Sequence, residues 1–262
     1  ADTYSLNITT GEIIRLGIIN SANTRTFNFS IENTALKVIG ADSGQYEQEF
    51  FTDSVILAPA ERTIVDTTFS KPGTYVIKSI SPLAEHTLGT IHVTGEEKNR
   101  DEFQTLRNHS IIPSRVRRHI NQTPDAEFVL TLNMQMNHRM GMRHLEPIEW
   151  EDTMPQMNAM STDRSVEWEI VDAKTGKKNM DINYTVRLGD IRKIRITNDA
   201  NSMHPMQHPI HLHGQWFLIT ARNGKSESNL VWKDVVLIPA GENAEILIDF
   251  SNPGEWMFHC HI

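Results

Sequence analysis

The chain carries a weak internal repeat with a period of about 180 residues. Residues 11–23 and residues 189–201 each begin with a turn, continue as a largely apolar run as far as an Asn, and end in a polar turn. A second matching pair, residues 59–73 and 239–254, opens with Pro-Ala and closes with Pro-Gly. Two copies of one order of turns and strands indicate two copies of one fold.

The sequence between these repeated segments has the pattern of strands and turns that is typical of an all-β protein. Short β-branched or alternating runs are separated by Gly, Pro, Asn and Ser, and strong helical periodicity is absent. We predict strands at residues 63–69, 74–80, 128–134, 166–171, 191–198, 216–221, 229–238 and 244–250. Many short strands with turn signals are typical of antiparallel sandwiches, so we expect two β-sandwich domains.

Two short segments concentrate the residues with metal chemistry. Residues 208–214 read His-Pro-Ile-His-Leu-His-Gly, and residues 259–261 place the only cysteine between two histidines. Side chains alternate faces along a strand, so each His-x-His pair faces one side and Cys260 faces the other. Two imidazole pairs on neighbouring strands predict a shared metal cluster, and Cys260 with His208 predicts a separate blue-copper site. One such pair, or a lone buried cysteine, is usually structural, so the prediction rests on the combination.

These motifs resemble those of the multicopper oxidase family, which includes laccases and metal-ion oxidases, and the resemblance covers the whole chain. It implies cupredoxin-like Greek-key β-sandwich domains that bind copper. Single electrons would leave a reducing substrate, pass through Cys260, and reduce O2 to water at a trinuclear cluster. The implied ligands are His208 and Cys260 for type 1 copper, His211 for type 2 copper, and His213, His259 and His261 for type 3 copper.

The same resemblance indicates what this sequence does not contain. In the family a second type 1 histidine and an axial ligand follow the His-Cys-His element, but the sequence stops at Ile262. The family's first domain supplies two more His-x-His motifs, and residues 1–125 contain none. We therefore expect the second and third domains of a three-domain oxidase, with four of the eight cluster imidazoles. As an isolated 262-residue chain it should be inactive.

The repeat also suggests where the domains divide. We predict a cupredoxin-like domain without copper ligands at residues 1–95 and a ligand-bearing domain at residues 126–262. The repeat sets residues 78–80 (Lys-Ser-Ile) against residues 259–261, so the first copy keeps the scaffold without the metal chemistry. Residues 96–125 form the expected linker. Its arginines indicate either a site that binds an anion or a partner, or simply a solvated connection between the domains.

A methionine-rich segment precedes the histidine motifs, with seven of the 11 methionines between residues 134 and 160. Thioethers are soft ligands that prefer Cu(I), which makes this segment a candidate platform for cuprous ions. Met side chains also fill irregular gaps under loops, and this alternative stays open. The Cu(I) candidates are Met140, Met142, His144, Met154, Met157 and Met160.

Residues beside the motifs have predicted supporting roles. Gly214 would let the chain pass close to the metal pocket. Trp216 and Trp256 would keep water away from the ligand strands. Asp234 would either orient a ligand imidazole or lie in a plain surface turn.

Composition and charge narrow the function further. A net charge of -8 argues against a nucleic-acid-binding surface. The sequence contains no run of 18 apolar residues, which is about the length that a membrane-spanning helix needs. The resemblance implies a periplasmic or secreted oxidoreductase whose partners are O2, a small reducing substrate (a phenol or a metal ion) and the missing first domain. Two other classes stay open, a copper-binding or copper-resistance protein and a catalytically inert two-domain fragment.

Overall fold

The chain folds into two β-rich units, Ala1–Ile111 and Ile112–Ile262. The computed structural model describes residues 4–99, 101–134, 147–151, 166–202 and 205–262. Each unit has its own sheets and its own core, and the all-β prediction is confirmed. Within these ranges no helix has the length and apolar character that crossing a membrane requires.

The described part of the first unit contains nine strands in two sheets. They are β1 (Tyr4–Thr9), β2 (Ile13–Ile19), β3 (Phe27–Ile31), β4 (Leu36–Ala41), β5 (Gly44–Thr52), β6 (Ser54–Leu57), β7 (Arg62–Thr68), β8 (Gly73–Ile80) and β9 (Glu85–Thr94). One sheet has the order β1-β9-β8-β3-β6, and the other has the order β2-β7-β4-β5. β1 runs parallel to β9.

The core of the first unit combines apolar side chains from both of its sheets. Phe29 and Ile91 come from one sheet, and Val38 and Val65 come from the other. Val38 lies opposite Val65 in the β4–β7 pair. Burying each such side chain contributes about 1.5–3 kcal/mol, which holds the two sheets together.

The described part of the second unit contains ten strands. They are β10 (Ala126–Met134), β11 (Val166–Asp172), β12 (Ile191–Asn198), β13 (His208–Leu212), β14 (Phe217–Arg222), β15 (Lys225–Ser226), β16 (Trp232–Lys233), β17 (Val235–Ile238), β18 (Asn243–Asp249) and β19 (Phe258–Cys260). The larger sheet has the order β11-β10-β12-β18-β14-β15, with β16 paired to β14. The smaller sheet has the order β17-β13-β19.

Between these two sheets lies the core of the second unit, which includes Phe128, Ile196, Ile210 and Phe217. Cys260 packs against this core from the smaller sheet. Each of the eight predicted strands overlaps an observed one, but the run predicted at residues 229–238 is broken between β16 and β17.

The internal repeat extends to equivalent hydrogen bonds. The buried side chain of Asn20, just after β2, donates to the carbonyl of Leu57 at 2.8 Å. Asn198, at the end of β12, donates to the carbonyls of Ile238 at 3.1 Å and Met206 at 2.7 Å. Each asparagine thereby ties a strand end of one sheet to a strand end of the other.

The predicted linker contains two single-turn helices, α1 (Asp101–Gln104) and α2 (Ser114–Arg117). Each buries one apolar side chain, but four residues are too few to show the periodicity that predicts a helix. Arg115 forms a salt bridge with Asp249, so this linker arginine has a structural partner in the second unit.

Candidate metal centre

The two histidine motifs lie on adjacent antiparallel strands. β13 pairs with β19 so that His211 lies opposite His259 and Ile210 lies opposite Cys260. Because successive side chains alternate faces, the two imidazoles share one face of the sheet. Ile210 and Cys260 pack together into the core on the other face.

Four imidazoles form one cluster. The ring centroid of His211 lies 4.6 Å from that of His213, 5.6 Å from His259 and 6.0 Å from His261. The His259 centroid lies 5.0 Å from His213 and 5.8 Å from His261. Ligand nitrogens of His211, His213 and His259 all lie within 4.8 Å of one another, a spacing that can hold a metal ion.

Hydrogen bonds determine which nitrogen of two rings can bind a metal. His211 Nδ1 donates to the backbone carbonyl of Asp234 at 2.8 Å, and His259 Nδ1 donates to that of Cys260 at 2.8 Å. A carbonyl oxygen only accepts, so in each neutral ring Nε2 keeps its lone pair. Burial lowers the pKa of His211, which favours the neutral ring. His259 Nε2 lies 2.9 Å from His213 Nε2, inside the cluster.

Asp234 orients His211 through its backbone. It occupies the break between β16 and β17, and its carbonyl also accepts the backbone N–H of Leu212 at 3.1 Å. Its carboxylate Oδ1 is 3.9 Å from His211 Nδ1, beyond hydrogen-bond distance. The orienting group is therefore a main-chain oxygen, which no sequence pattern specifies.

Gly214 makes the turn that follows the last histidine of β13. Its φ is 63°, and a Cβ at this position would lie 2.2 Å from Cδ2 of Trp256. Both the backbone conformation and the space therefore require glycine. The adjacent N–H of His213 donates to the carbonyl of Met257 at 2.9 Å, which fixes this end of the cluster.

A second candidate site lies on the core side of the smaller sheet. Cys260 Sγ lies 3.4 Å from His208 Nδ1. His208 is 6% exposed, and burial lowers its pKa to about 4. Burial also raises the pKa of the Cys260 thiol to about 11. At neutral pH the imidazole is therefore neutral, and the thiol releases its proton when a metal binds.

Trp168 borders this second site and was missed by sequence reasoning. Its ring centroid lies 5.2 Å from that of His208, with the ring planes 75° apart. It belongs to β11, the edge strand of the larger sheet, and is 39% exposed. Nothing in the sequence distinguishes this tryptophan from an ordinary strand residue.

The two tryptophans that were predicted to keep water away from the ligand strands both lie at the surface of this chain. Trp216 is 58% exposed and Trp256 is 43% exposed. Met257, two residues before His259, is 55% exposed. We call these three side chains the apolar rim, because they flank the segments that carry the imidazole cluster.

The first unit keeps the strand geometry of the site without its ligands. Ser79, which the repeat aligns with Cys260, lies opposite Phe29 in the β3–β8 pair. Its neighbour Lys78 forms salt bridges with Glu32 at 3.5 Å and Glu85 at 3.0 Å. In the described residues, the only group of three or more potential ligands is the histidine cluster of the second unit.

The methionine-rich segment was predicted as a further copper site. Its Cu(I) candidates lie outside the described residues: Met140, Met142, His144, Met154, Met157 and Met160.

Known proteins match both units. Two family models described as multicopper oxidase match residues 1–99 and 147–262. Multicopper oxidase mco of Staphylococcus haemolyticus is 23% identical over 254 residues, which cover 96% of this chain and 45% of that protein. Laccase-7 of Arabidopsis thaliana is 23% identical over 326 residues, which cover 99% of this chain and 57% of that protein. The chain spans about half the length of these curated relatives.

Solved structures have the same fold. The laccase-like multicopper oxidase CueO from Ochrobactrum sp. gives a TM-score of 0.70 at 23% identity, covering 99% of this chain and 54% of that one. A metallo-oxidase from Campylobacter jejuni gives a TM-score of 0.69 at 19% identity, covering 98% and 51%. These matches confirm the cupredoxin-like fold class. The two family models, which between them match most of the chain, show that it belongs to the multicopper oxidase family, whose cofactor is copper.

The donor atoms fit copper. A thiol beside an imidazole is the core of a blue-copper site, and imidazoles in a cluster suit further copper ions. The carbonyl partners of His211 and His259 leave Nε2 of each ring as the ligand atom. Which residue binds which copper ion stays a prediction.

Proposed function

We propose that the chain is the portion of a multicopper oxidase that receives single electrons from a reducing substrate and delivers them to the site of O2 reduction. The position of Cys260 carries this proposal. Its Sγ faces His208, whereas the two residues bonded to it, His259 and His261, belong to the imidazole cluster. When bound, copper supplies one-electron chemistry at the Cys260 site and reduction of O2 to water at the cluster.

We assign His208 and Cys260 to type 1 copper. Cys260 lies against the apolar core of the second unit, and His208, whose Nδ1 is 3.4 Å from Cys260 Sγ, is buried. Such surroundings exclude water from the thiol sulfur and tune the potential of a blue-copper site. Pairing of β13 with β17 and β19 holds the two ligands on a rigid sheet.

We assign His211 to type 2 copper, and His213, His259 and His261 to type 3 copper. The carbonyl of Asp234 orients the first of these rings, and the carbonyl of Cys260 orients His259. These hydrogen bonds keep the ring nitrogens aimed at shared metal positions before any ion binds.

We propose that a further cupredoxin domain completes the cluster. The four imidazoles of this chain are half of the eight that the family resemblance implies. The apolar rim, Trp216, Trp256 and Met257, exposes large hydrophobic groups beside the cluster, and such patches mark protein interfaces. A domain packed there would cover the rim and supply the remaining imidazoles.

The proposed partners of the completed enzyme are O2 and a small reducing substrate, either a phenol or a metal ion. A periplasmic or secreted location follows from the same family resemblance and is part of the proposal.

The test compares two ligand variants of the complete, copper-loaded protein by copper content, visible absorption, EPR and O2 uptake with a phenol. Cys260→Ser should remove the blue band and O2 uptake while cluster copper remains. His211→Ala should lower cluster copper and O2 uptake while the blue band remains. A blue band that survives Cys260→Ser would contradict the assignment.

Two other outcomes point to the alternatives. Cu(I) binding that survives Cys260→Ser but is lost on replacing the methionine cluster indicates a copper-binding or copper-resistance protein. A folded protein that binds no copper indicates a catalytically inert pair of domains.

A further inference from the structure

Strand β2 forms an open edge of the first unit. It pairs with β7 on one side, and among the described strands none pairs with its other side. The internal repeat provides a comparison, because β2 corresponds to β12 of the second unit. β12 pairs with β18 on one side and with β10 on the other. The first unit therefore has an open position for one more strand, where the second unit holds one.

This edge lacks the features that usually protect an edge strand. Proline, lysine and β-bulges commonly block pairing with another chain. β2 contains neither of these residues, and its pairing with β7 has a regular register. On the outer face of the sheet Ile13 is 39% exposed and Ile19 is 63% exposed, and Ile64 of β7 is 40% exposed beside them. An apolar edge of this kind favours pairing with a further strand.

The sequence of β2 is nearly palindromic. It reads Ile-Ile-Arg-Leu-Gly-Ile-Ile, so two antiparallel copies related by a twofold axis at Leu16 place isoleucine opposite isoleucine at both ends. On the outer face Ile13 lies opposite Ile19 of the second copy. On the core face Ile14 lies opposite Ile18 of the second copy, and both side chains are only partly buried in one copy. Each pair would bury apolar surface that a single chain leaves accessible.

The one charged side chain of β2 is compatible with this register. Arg15 lies opposite Gly17 of the second copy, so the two arginines do not oppose each other. A Cβ on Gly17 would have no atom within 4 Å, which leaves space for the arginine stem. Asp66 of β7 binds the Arg15 guanidinium at 2.8 and 3.0 Å, so the charge keeps its partner at the interface.

We propose that β2 is an interface for a second copy of this chain, whose own β2 pairs with it antiparallel and extends the sheet across a twofold axis. Main-chain hydrogen bonds between the two edges supply affinity, and the isoleucine pairs select the register. β2 belongs to the first unit and the candidate copper ligands belong to the second, so the proposal is independent of copper binding and of the proposed function.

Self-association of the full 262-residue chain is measured by analytical ultracentrifugation over a concentration series. We expect twice the mass of one chain. Ile19→Lys should weaken self-association at least roughly tenfold, because each dimer loses two buried isoleucines and gains two ammonium groups. Ile56→Lys is the matched control, because Ile56 is 46% exposed on β6, an edge strand of the other sheet, and its dimer should persist.

Two results of this experiment would overturn the proposal. A monomer at every concentration would leave the β2 edge for a strand of a different protein or domain. A dimer that is unaffected by Ile19→Lys, or is lost in Ile56→Lys, would place the contact on another surface. Circular dichroism of both variants confirms that they are folded.

Cross-linking tests the register in a Cys260→Ser background, which removes the only thiol of the chain. Ile13→Cys and Ile19→Cys are made separately, mixed, and treated with a short bismaleimide. In the proposed register these two positions lie opposite each other, about 5 Å apart between Cα atoms. The two Ile19 positions of one dimer would lie about 20 Å apart, beyond the reach of the reagent. Cross-linked dimer should form in the mixture and not with either protein alone. No cross-link in the mixture, or equal cross-linking in all three samples, would contradict the register and the proposal with it.

Discussion

At the scale of single residues, three consecutive positions serve two chemical environments. Cys260 packs against the core and has a raised pKa because it is buried. Its neighbours His259 and His261 face a cluster of imidazoles. Strand alternation alone separates these environments, so a one-residue insertion in β19 would exchange them.

Gly214→Ala tests how tightly the turn beside the cluster is packed. The new Cβ would sit at φ 63° and 2.2 Å from the Trp256 ring. We expect a loss of roughly 2–4 kcal/mol in the free energy of unfolding, from left-handed strain plus overpacking. Urea unfolding monitored by circular dichroism measures it.

Gly224 provides the matched control, because its φ is 74° and a Cβ added there would have no neighbouring atom within 4 Å. Gly224→Ala should cost only about 1–2 kcal/mol, the strain of the left-handed backbone. Adding Trp256→Ala to Gly214→Ala should recover the difference between the two glycine variants. Equal losses of unfolding free energy in Gly214→Ala and Gly224→Ala would show that the contact with Trp256 does not affect stability.

At the scale of elements, the site depends on β13 and β19, which are far apart in sequence and adjacent in the smaller sheet. Asn198 ties the start of this region to the larger sheet by bonding the carbonyls of Met206 and Ile238. Ile238 lies opposite His208 in the β13–β17 pair. The asparagine therefore links the position of a candidate copper ligand to the scaffold.

Asn198→Ala should lower the free energy of unfolding by about 1–3 kcal/mol, because the buried carbonyl of Ile238 and the partly buried carbonyl of Met206 lose their donor. Asn20→Ala, the equivalent change in the first unit, should cost a similar amount. Only Asn198→Ala should also alter the type 1 EPR spectrum of the copper-loaded protein. Identical spectra for the two variants would limit Asn198 to a scaffold role.

At the scale of the whole molecule, one fold occurs twice and carries ligands once. Both units have a two-sheet core, yet the strand that presents Cys260 in the second unit corresponds to one presenting Ser79 in the first. We therefore expect the first unit to act as a scaffold and metal binding to stabilise the second unit selectively.

Hydrogen exchange with mass spectrometry tests this selectivity. Copper at 100 times its Kd should slow exchange of amides in β13 and β19 by roughly 100-fold, because binding to the folded state opposes opening. Amides in β3 and β8, the equivalent strands of the first unit, serve as the internal control and should not change. Protection of β3 and β8 would place copper where no predicted ligand lies.

Local sequence patterns were sufficient to predict several strands, the repeated fold and the face on which each ligand side chain lies. Turn residues and alternation indicate the strands, because they act within a few residues, and the repeat indicates two copies of the fold. The i, i+2 spacing around Cys260 predicts which side chains share a face, since that follows from strand geometry alone.

Tertiary structure decided what depends on residues distant in sequence. The carbonyl of Asp234 orients His211, and Trp168 reaches His208, only because separate strands meet. Exposure of Trp216 and Trp256 is likewise set by what packs against them. Every residue has a backbone carbonyl, and any residue type can lie at the surface. The sequence alone therefore does not specify which carbonyl orients a ligand or which side chain is exposed. Sequence patterning by itself indicated eight strand segments, one of which is broken in the structure, and the packing of all the strands determined the surroundings of each ligand.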